Sequence, residues 1–540
     1  MVNEILFLGV LIICFVRAII RAIQGLHILQ LDGYKPGRYA KWVTNHISQC
    51  IEIKDLTIIV IFSIPVIIYP PFLEGNWIFP VLAIVWMVFQ LYAITTRKKV
   101  DVKKPLVYTF RAKRLLSFAL FLLLGLSVIF ALFIQENRWR LIAFLFSEIT
   151  IPIMILSSFL IWPVEQFINS LYLRDARRRI KSLEPTVIGI TGSYGKTSTK
   201  YILHQILSQK YNTLMTPDSY NTPMGICKVI RGDLLPEHEY FIVEMGAYKR
   251  GDIKVLCELV FPEIGILTAV GPQHLERFKS IENTTKAKYE LIQSLPMNGL
   301  AVINNDNSIC EDLAEKTDTV PVIRYGVNSK DTNRLTADDI KQSENGLSFT
   351  LQDNTSGTIE ISTKLLGKHN VSNILAAVAV AQHCGMTLNE ISDALKALEP
   401  VPHRLQLMDS GTGITVIDDS FNANPEGARA ALEVLRDFLS KGTSQKVLVT
   451  PGLVELGELE YDANKKFGSD AAKVCDLVIL VGPARTLPIL DGLKTQDYPE
   501  DKIYVAKNLN DAQQQLALRL SPGDVVLFEN DLPDNYNESV

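Results

Sequence analysis

Residues 191–198 read TGSYGKTS, a spacing suited to holding phosphate. Gly192 and Gly195 let backbone N–H groups close around phosphate oxygens, and a helix starting there adds its positive end. Lys196 can reach the outer phosphates of a nucleoside triphosphate and Thr197 can ligate magnesium, with Thr191, Ser193 and Ser198 completing the cradle. The longer GxxxxGK[ST] loop needs glycine at position 190, where this chain has Ile190, so the match is to a shorter TGxxGKT form. Glu244 ends the apolar run YFIVE, and a carboxylate beside a phosphate loop suits magnesium. Other positions are ambiguous on spacing alone. Lys286, Lys288 and Glu290 read as charges on a solvated helix face, and Asn370 as a helix cap with Asn373 on the same face. Asn422 and Asn424 fall in the turn-forming segment NANP.

These segments come in a definite order. TGSYGKTSTK (191–200), SYNTPMG (219–225), VEMGAY (243–248), HLERF (274–278), KAKYE (286–290), GKHNVSN (367–373), HRLQ (403–406) and DDSFNANP (418–425) follow one another as in the Mur ligases. Residues 186–540 resemble that family, which joins amino acids or dipeptides to cell-wall precursors through an acyl phosphate. The resemblance implies ATP and two magnesium ions, with Thr197, Glu244, His274 and Lys288 around the metals and Lys196, Lys288 and His274 as catalytic groups. It implies that Lys288 is carbamylated, which turns a cation into a carboxylate-like ligand. Asn370 and Asn373 would contact adenine, and Arg404 and Asp418 would reach the ribose and phosphates. Asn221, Asn422 and Asn424 would meet the other substrates. DDSFNANP is most like the branch of the family that adds D-alanyl-D-alanine. A Mur-like poly-γ-glutamate synthetase is an alternative with the same ATP site.

The elements that must position these residues alternate. TVIGI, YFIVEMG, EIGILTAVG and GLAVINND read as β-strands between helical stretches such as SIENTTKAKYELIQSL, as in a largely parallel doubly wound sheet. A polar strand-like region at 331–363 reads as an antiparallel addition. ITVIDD, KVLVTPG, LVILVG, KIYVA and DVVLFE form a second α/β unit after the hinge EPVPHRL, where Pro400 and Pro402 restrict the chain. The fold class is therefore α/β: a multi-span helical membrane domain (1–183), a P-loop central ATP-binding domain (184–399) and a Rossmann-like C-terminal domain (400–540).

The N-terminal part is apolar, with candidate spans at 5–23, 56–72, 77–94, 115–134 and 141–162, each near the ~20 residues that cross a bilayer. Basic residues sort to the loops after the first, third and fifth spans, while the loops after the second and fourth hold Arg138 and Arg140. That places the soluble domains in the cytoplasm, anchored to the cell membrane, with ATP at hand. The expected partners are a UDP- or lipid-linked cell-wall precursor and an amino acid or dipeptide. A transporter or sensor driven by a nucleotide domain would carry more intramembrane charge than Arg17 and Arg21. Across 540 residues, 54 Lys+Arg against 58 Asp+Glu give no basic field for nucleic acid, and seven cysteines without a CxxC pair argue against disulfide or zinc scaffolds.

Overall fold

A computed structural model describes residues 2–31, 33–47, 78–95, 105–133, 150–218, 220–273, 275–327, 333–421, 424–438, 444–454 and 456–531. The chain divides into two compact units at Ser170/Leu171.

The first unit is helical. Among the described residues, three helices are long and apolar enough to cross a membrane, over Glu4–Leu31, Phe110–Ile129 and Thr150–Leu183, and Pro80–Tyr92 is a shorter apolar helix. The expected span at 56–72 lies outside the described residues. Residues 141–149 of the expected fifth span lie outside the described residues, and from Thr150 the helix runs past Pro163 into the basic stretch ending at Leu183. Phe7, Val10 and Cys14 pack on Ala83 and Trp86, while Ile5, Leu8, Phe121 and Phe159 point outward. Just outside the apolar stretches read from the sequence, Glu165 is buried and receives two hydrogen bonds from Arg114, at 2.7 and 2.8 Å.

The second unit contains two sheets. The first has nine strands: β1 (Thr186–Thr191), β2 (Thr213–Met215), β3 (Tyr240–Glu244), β4 (Ile264–Leu267), β5 (Leu300–Asn304), β6 (Val322–Gly326), β7 (Leu335–Ser343), β8 (Gly346–Asp353) and β9 (Gly357–Thr363). Their order is β2-β3-β1-β4-β5-β6-β7-β8-β9. Pairing is parallel as far as β7, then antiparallel through β8 and β9, so Leu335–Thr363 forms the antiparallel addition expected from the sequence. Side chains alternate across this sheet: Ile188, Ile190 and Ile266 enter one core, Val187, Phe241 and Val243 another. Both faces are covered, as parallel strands require. On the first face the helices Lys196–Leu207 and His369–His383 pack together, and Ile374 to Ala381 of the latter are all fully buried.

The second sheet has six strands, β10 (Gln406–Asp409), β11 (Thr415–Asp419), β12 (Lys446–Thr450), β13 (Leu477–Val481), β14 (Ile503–Ala506) and β15 (Val525–Glu529), in the order β10-β11-β15-β12-β13-β14. Five match the sequence reading. The sixth, β10, is a short antiparallel edge strand whose polar ends give no alternation to read.

Candidate functional site

β1 ends at Thr191 and the helix Lys196–Leu207 begins five residues later, so the phosphate loop spans a strand C-terminus and a helix N-terminus. Neither glycine can be replaced freely. A Cβ on Gly192 would strike the Thr268 hydroxyl, and one on Gly195 would strike Asn373 Oδ1, while Gly195 also has φ +80°. The loop is tied to the neighbouring β4 segment: Ser193 N donates to Ala269 O at 2.7 Å, Ser193 Oγ donates to Gly271 O at 3.0 Å, and Thr268 Oγ1 donates to Tyr194 O. Gly195→Ala is therefore expected to destabilise the fold by about 1–3 kcal/mol and to weaken nucleotide binding, read by thermal melting with and without nucleotide.

Four cationic side chains converge on this loop. Lys196 Nζ donates to Gly192 O at 2.7 Å and Ser193 O at 3.3 Å, and Lys288 Nζ donates to the same Gly192 oxygen at 2.8 Å. Lys200 Nζ lies 3.2 Å from Glu244 Oε2 and donates to Asp218 O at 2.7 Å. Arg404 faces them from the segment after Pro402, close enough for its charge to act on Lys196. Withdrawal from water lowers the pKa of Lys196, Lys200, Lys288 and Arg404 alike, and at Lys288, with Lys196 adding to the effect, the shift is largest. Glu244 is the carboxylate among them. Its Oε2 accepts from Thr197 Oγ1 at 3.0 Å and its Oε1 from Asn221 Nδ2 at 3.3 Å, which joins three residues assigned separately from sequence.

Lys288 overturns the reading drawn from its spacing. The helix Ile281–Gln293 buries Thr284, Ala287, Lys288, Leu291 and Ile292, a stripe at helical spacing into which Lys288 falls, whereas Lys286 is exposed and pairs with Glu282. That stripe is the signal that could have placed it. Glu290 is not a free surface charge either, because its two oxygens accept from Gly251 N and Lys254 N at the start of the earlier helix Asp252–Val260.

Asn370 and Asn373 are both buried, and Asn373 Nδ2 donates to Asn370 Oδ1 at 2.9 Å while Asn373 Oδ1 accepts from Thr199 at 3.3 Å. They brace the phosphate-loop helix from behind. Asn370 does not cap: its Nδ2 donates back to Leu366 O at 2.7 Å. Ser198 is buried in the first turn and Thr191 Oγ1 donates to Met245 O at 3.1 Å. Asn424 caps the helix Pro425–Asp437, accepting from Gly427 N at 2.9 Å. His274 and Asn422 lie outside the described residues. Asp418 is occupied in this state, with His403 Nδ1 2.6 Å from its Oδ2. Sequence reasoning missed Lys200, four residues after Lys196 and so on its face of the helix, and the buried acids Asp419 and Glu529.

Residues 190–381 match the Mur ligase middle domain, and residues 403–529 match the Mur ligase glutamate ligase domain. The UDP-N-acetylmuramoyl-tripeptide–D-alanyl-D-alanine ligase of Mycobacterium tuberculosis is 34% identical over 364 residues, 64% of this chain and 70% of the relative. The chain is a Mur ligase. The Bacillus subtilis enzyme of the same name is 29% identical, covering 66% of this chain and 75% of its own. Among solved structures, the MurF ligase from Thermotoga maritima in complex with ADP aligns with a TM-score of 0.59 at 26% identity, covering 67% of this chain and 80% of that one.

As a Mur ligase this protein is an ATP-dependent, ADP-forming enzyme that makes carbon–nitrogen bonds, and it uses magnesium. The site fits that metal: Thr197 and Glu244 supply two hard oxygen donors side by side, and magnesium takes few protein ligands beside water and phosphate. Among the described residues no group of three His, Cys, Asp or Glu side chains stands ready for a metal that needs a full protein cage.

Proposed function

We propose that this ligase adds D-alanyl-D-alanine to a UDP-linked or lipid-linked muramoyl tripeptide, working at the cytoplasmic face of a membrane in which its N-terminal helices are embedded. The observation that carries the chemistry is the convergence of Lys196, Lys200 and Arg404 on the phosphate loop and its carboxylate Glu244. Such a cluster of buried cations is costly unless a polyanion enters it, and a triphosphate supplies the missing charge.

The acceptor carboxylate attacks the γ-phosphorus of ATP, the bond to the β-phosphate oxygen breaks, and an acyl phosphate and ADP result. The amine then attacks the acyl carbon, loses a proton and expels inorganic phosphate. Lys196 and Arg404 neutralise charge on the moving phosphoryl group; Thr197 and Glu244 would hold magnesium, whose charge would add to that neutralisation. No side-chain nucleophile is needed. The substrate assignment draws support from the names of the relatives and from DDSFNANP. We further propose that Lys288 carries a carbamate in the working enzyme. The likeness to the D-alanyl-D-alanine ligases does not bring this modification. Its support is the placement of Lys288 and the lowered pKa, which favours the neutral amine that adds carbon dioxide.

Phosphate release by the full chain tests the substrate reading. ATP with UDP-muramoyl-tripeptide and D-alanyl-D-alanine is expected to release phosphate well above ATP with either alone, and glutamate in place of the dipeptide is not. Release that ignores the amine would overturn it. For the membrane, the three long apolar helices and their outward Ile5, Leu8 and Phe121 support embedding. The full chain is expected to stay in the membrane pellet through alkaline carbonate washing; recovery in the supernatant contradicts the anchor.

A further inference from the structure

Arg404 sits in an unusual backbone. His403 and Leu405 on either side of it have φ of +58° and +47°, in the left-handed region that side chains other than glycine rarely adopt. Such geometry persists only when its surroundings over-determine it. Here both aspartates of β11 do so: Asp418 Oδ2 takes His403 Nδ1 at 2.6 Å and Asp419 Oδ1 accepts from Leu405 N at 3.3 Å. The guanidinium itself lies 4.8 Å over the Phe421 ring, and its buried Nε has no hydrogen-bond partner among the described residues.

Directly beside Asp419 stands Glu529. The two are register partners on the adjacent parallel strands β11 and β15, so their side chains emerge on the same face. Glu529 is fully buried, and among the described residues none donates an N–H or a hydroxyl to either of its oxygens. Two carboxylates placed side by side in a dry site cannot both ionise at low cost, and a proton between them satisfies both.

We propose that Asp419 and Glu529 are positioning residues for Arg404, holding one proton between them so that a single negative charge, not two, faces the guanidinium. With one charge the triad is neutral, and the outer N–H groups of Arg404 stay available to the phosphates. The inference rests on the nucleotide reading of the site above. Burial raises the pKa of both acids, that of Glu529 well above the ordinary value, with Asp419 adding to it and Arg404 opposing it. The other charges bearing on the triad are Asp418 on Asp419, Glu244 on Arg404, and Lys196 and His369, each of which feels Arg404.

The sign follows. A buried acid with a raised pKa stabilises the fold fully below its unfolded value of about 4.3, and that contribution is lost as pH rises through the folded value. Above it the pair carries two charges, Arg404 is drawn onto them, and turnover falls. The test compares the full-length wild type with Glu529→Gln, Glu529→Asp and the double variant Asp419→Asn/Glu529→Gln, reading melting temperature and kcat against pH. Glu529→Gln is expected to flatten the fall in melting temperature with rising pH and to move the high-pH limb of kcat upward. Glu529→Asp, which keeps the pair, is expected to retain both. The uncharged double variant is expected to lose about tenfold or more in kcat. Identical melting profiles for wild type and Glu529→Gln overturn the shared proton, and wild-type kcat in the double variant overturns the positioning role. The melting readout does not depend on which substrates the ligase uses, so it separates failure here from failure of that reading.

Discussion

Replacing Lys196 by Ala is expected to lower kcat by about 10³-fold or more, the scale on which charge-stabilising groups act in phosphoryl transfer. Lys196 Nζ is held against Gly192 O and Ser193 O at the mouth of the phosphate loop. Its withdrawal from water disfavours the charged form, so the side chain is there for a ligand and not for the fold. The melting temperature should stay near the wild type or rise, because truncation removes a poorly solvated cation. Near-normal turnover in Lys196→Ala, measured as ADP formed per enzyme, would remove the loop from the mechanism.

The second large effect is at Lys288, and its control is two residues away. Lys288→Ala takes away a buried amine that donates to the same Gly192 oxygen as Lys196, and it is expected to cost at least about tenfold in turnover. Lys286 is exposed and pairs with Glu282 four residues earlier, so Lys286→Ala should change stability by no more than about 0.5 kcal/mol and leave turnover alone. If the Lys288 amine is carbamylated, short carboxylates added to Lys288→Ala restore part of the activity, and removing dissolved carbon dioxide slows the wild type. Full activity in Lys288→Ala contradicts its place in the site. A loss that no carboxylate relieves retires the carbamate and leaves the lysine as a cation of the phosphate loop.

These two residues also mark what the sequence discloses and what it hides. The phosphate loop is legible because its demands are local: glycines at 192 and 195, then lysine and threonine at a helix start. Glu244 is legible for a similar reason, as the last residue of a buried strand. Lys288 is harder, since its role depends on which face of the helix Ile281–Gln293 turns toward the sheet. Only the burial of Thr284, Ala287, Leu291 and Ile292 fixes that. Glu529 is harder still. Its meaning comes from Asp419 beside it, 110 residues earlier in the chain and brought there by the crossing order of the second sheet. The antiparallel addition at 335–363 could be read from its polar alternation, but the three-residue strand β2 and the edge strand β10 are too short to carry a period.

In the helical unit, hydropathy located the apolar stretches, while the ion pair between Arg114 and Glu165 depends on the packing of two helices 51 residues apart in their charged positions. Buried charge of that kind is expensive in an apolar setting and persists only in pairs.

The proposed reaction turns on one covalent event, the transfer of the γ-phosphoryl group of ATP to a substrate carboxylate. The acceptor tripeptide labelled with oxygen-18 in its reacting carboxylate reads that event directly. With ATP and D-alanyl-D-alanine, the account predicts that one labelled oxygen per turnover appears in the inorganic phosphate released by the full-length ligase, with the other kept in the new amide. Phosphate carrying oxygen from solvent, with none from the carboxylate, would contradict the acyl phosphate and with it the central claim.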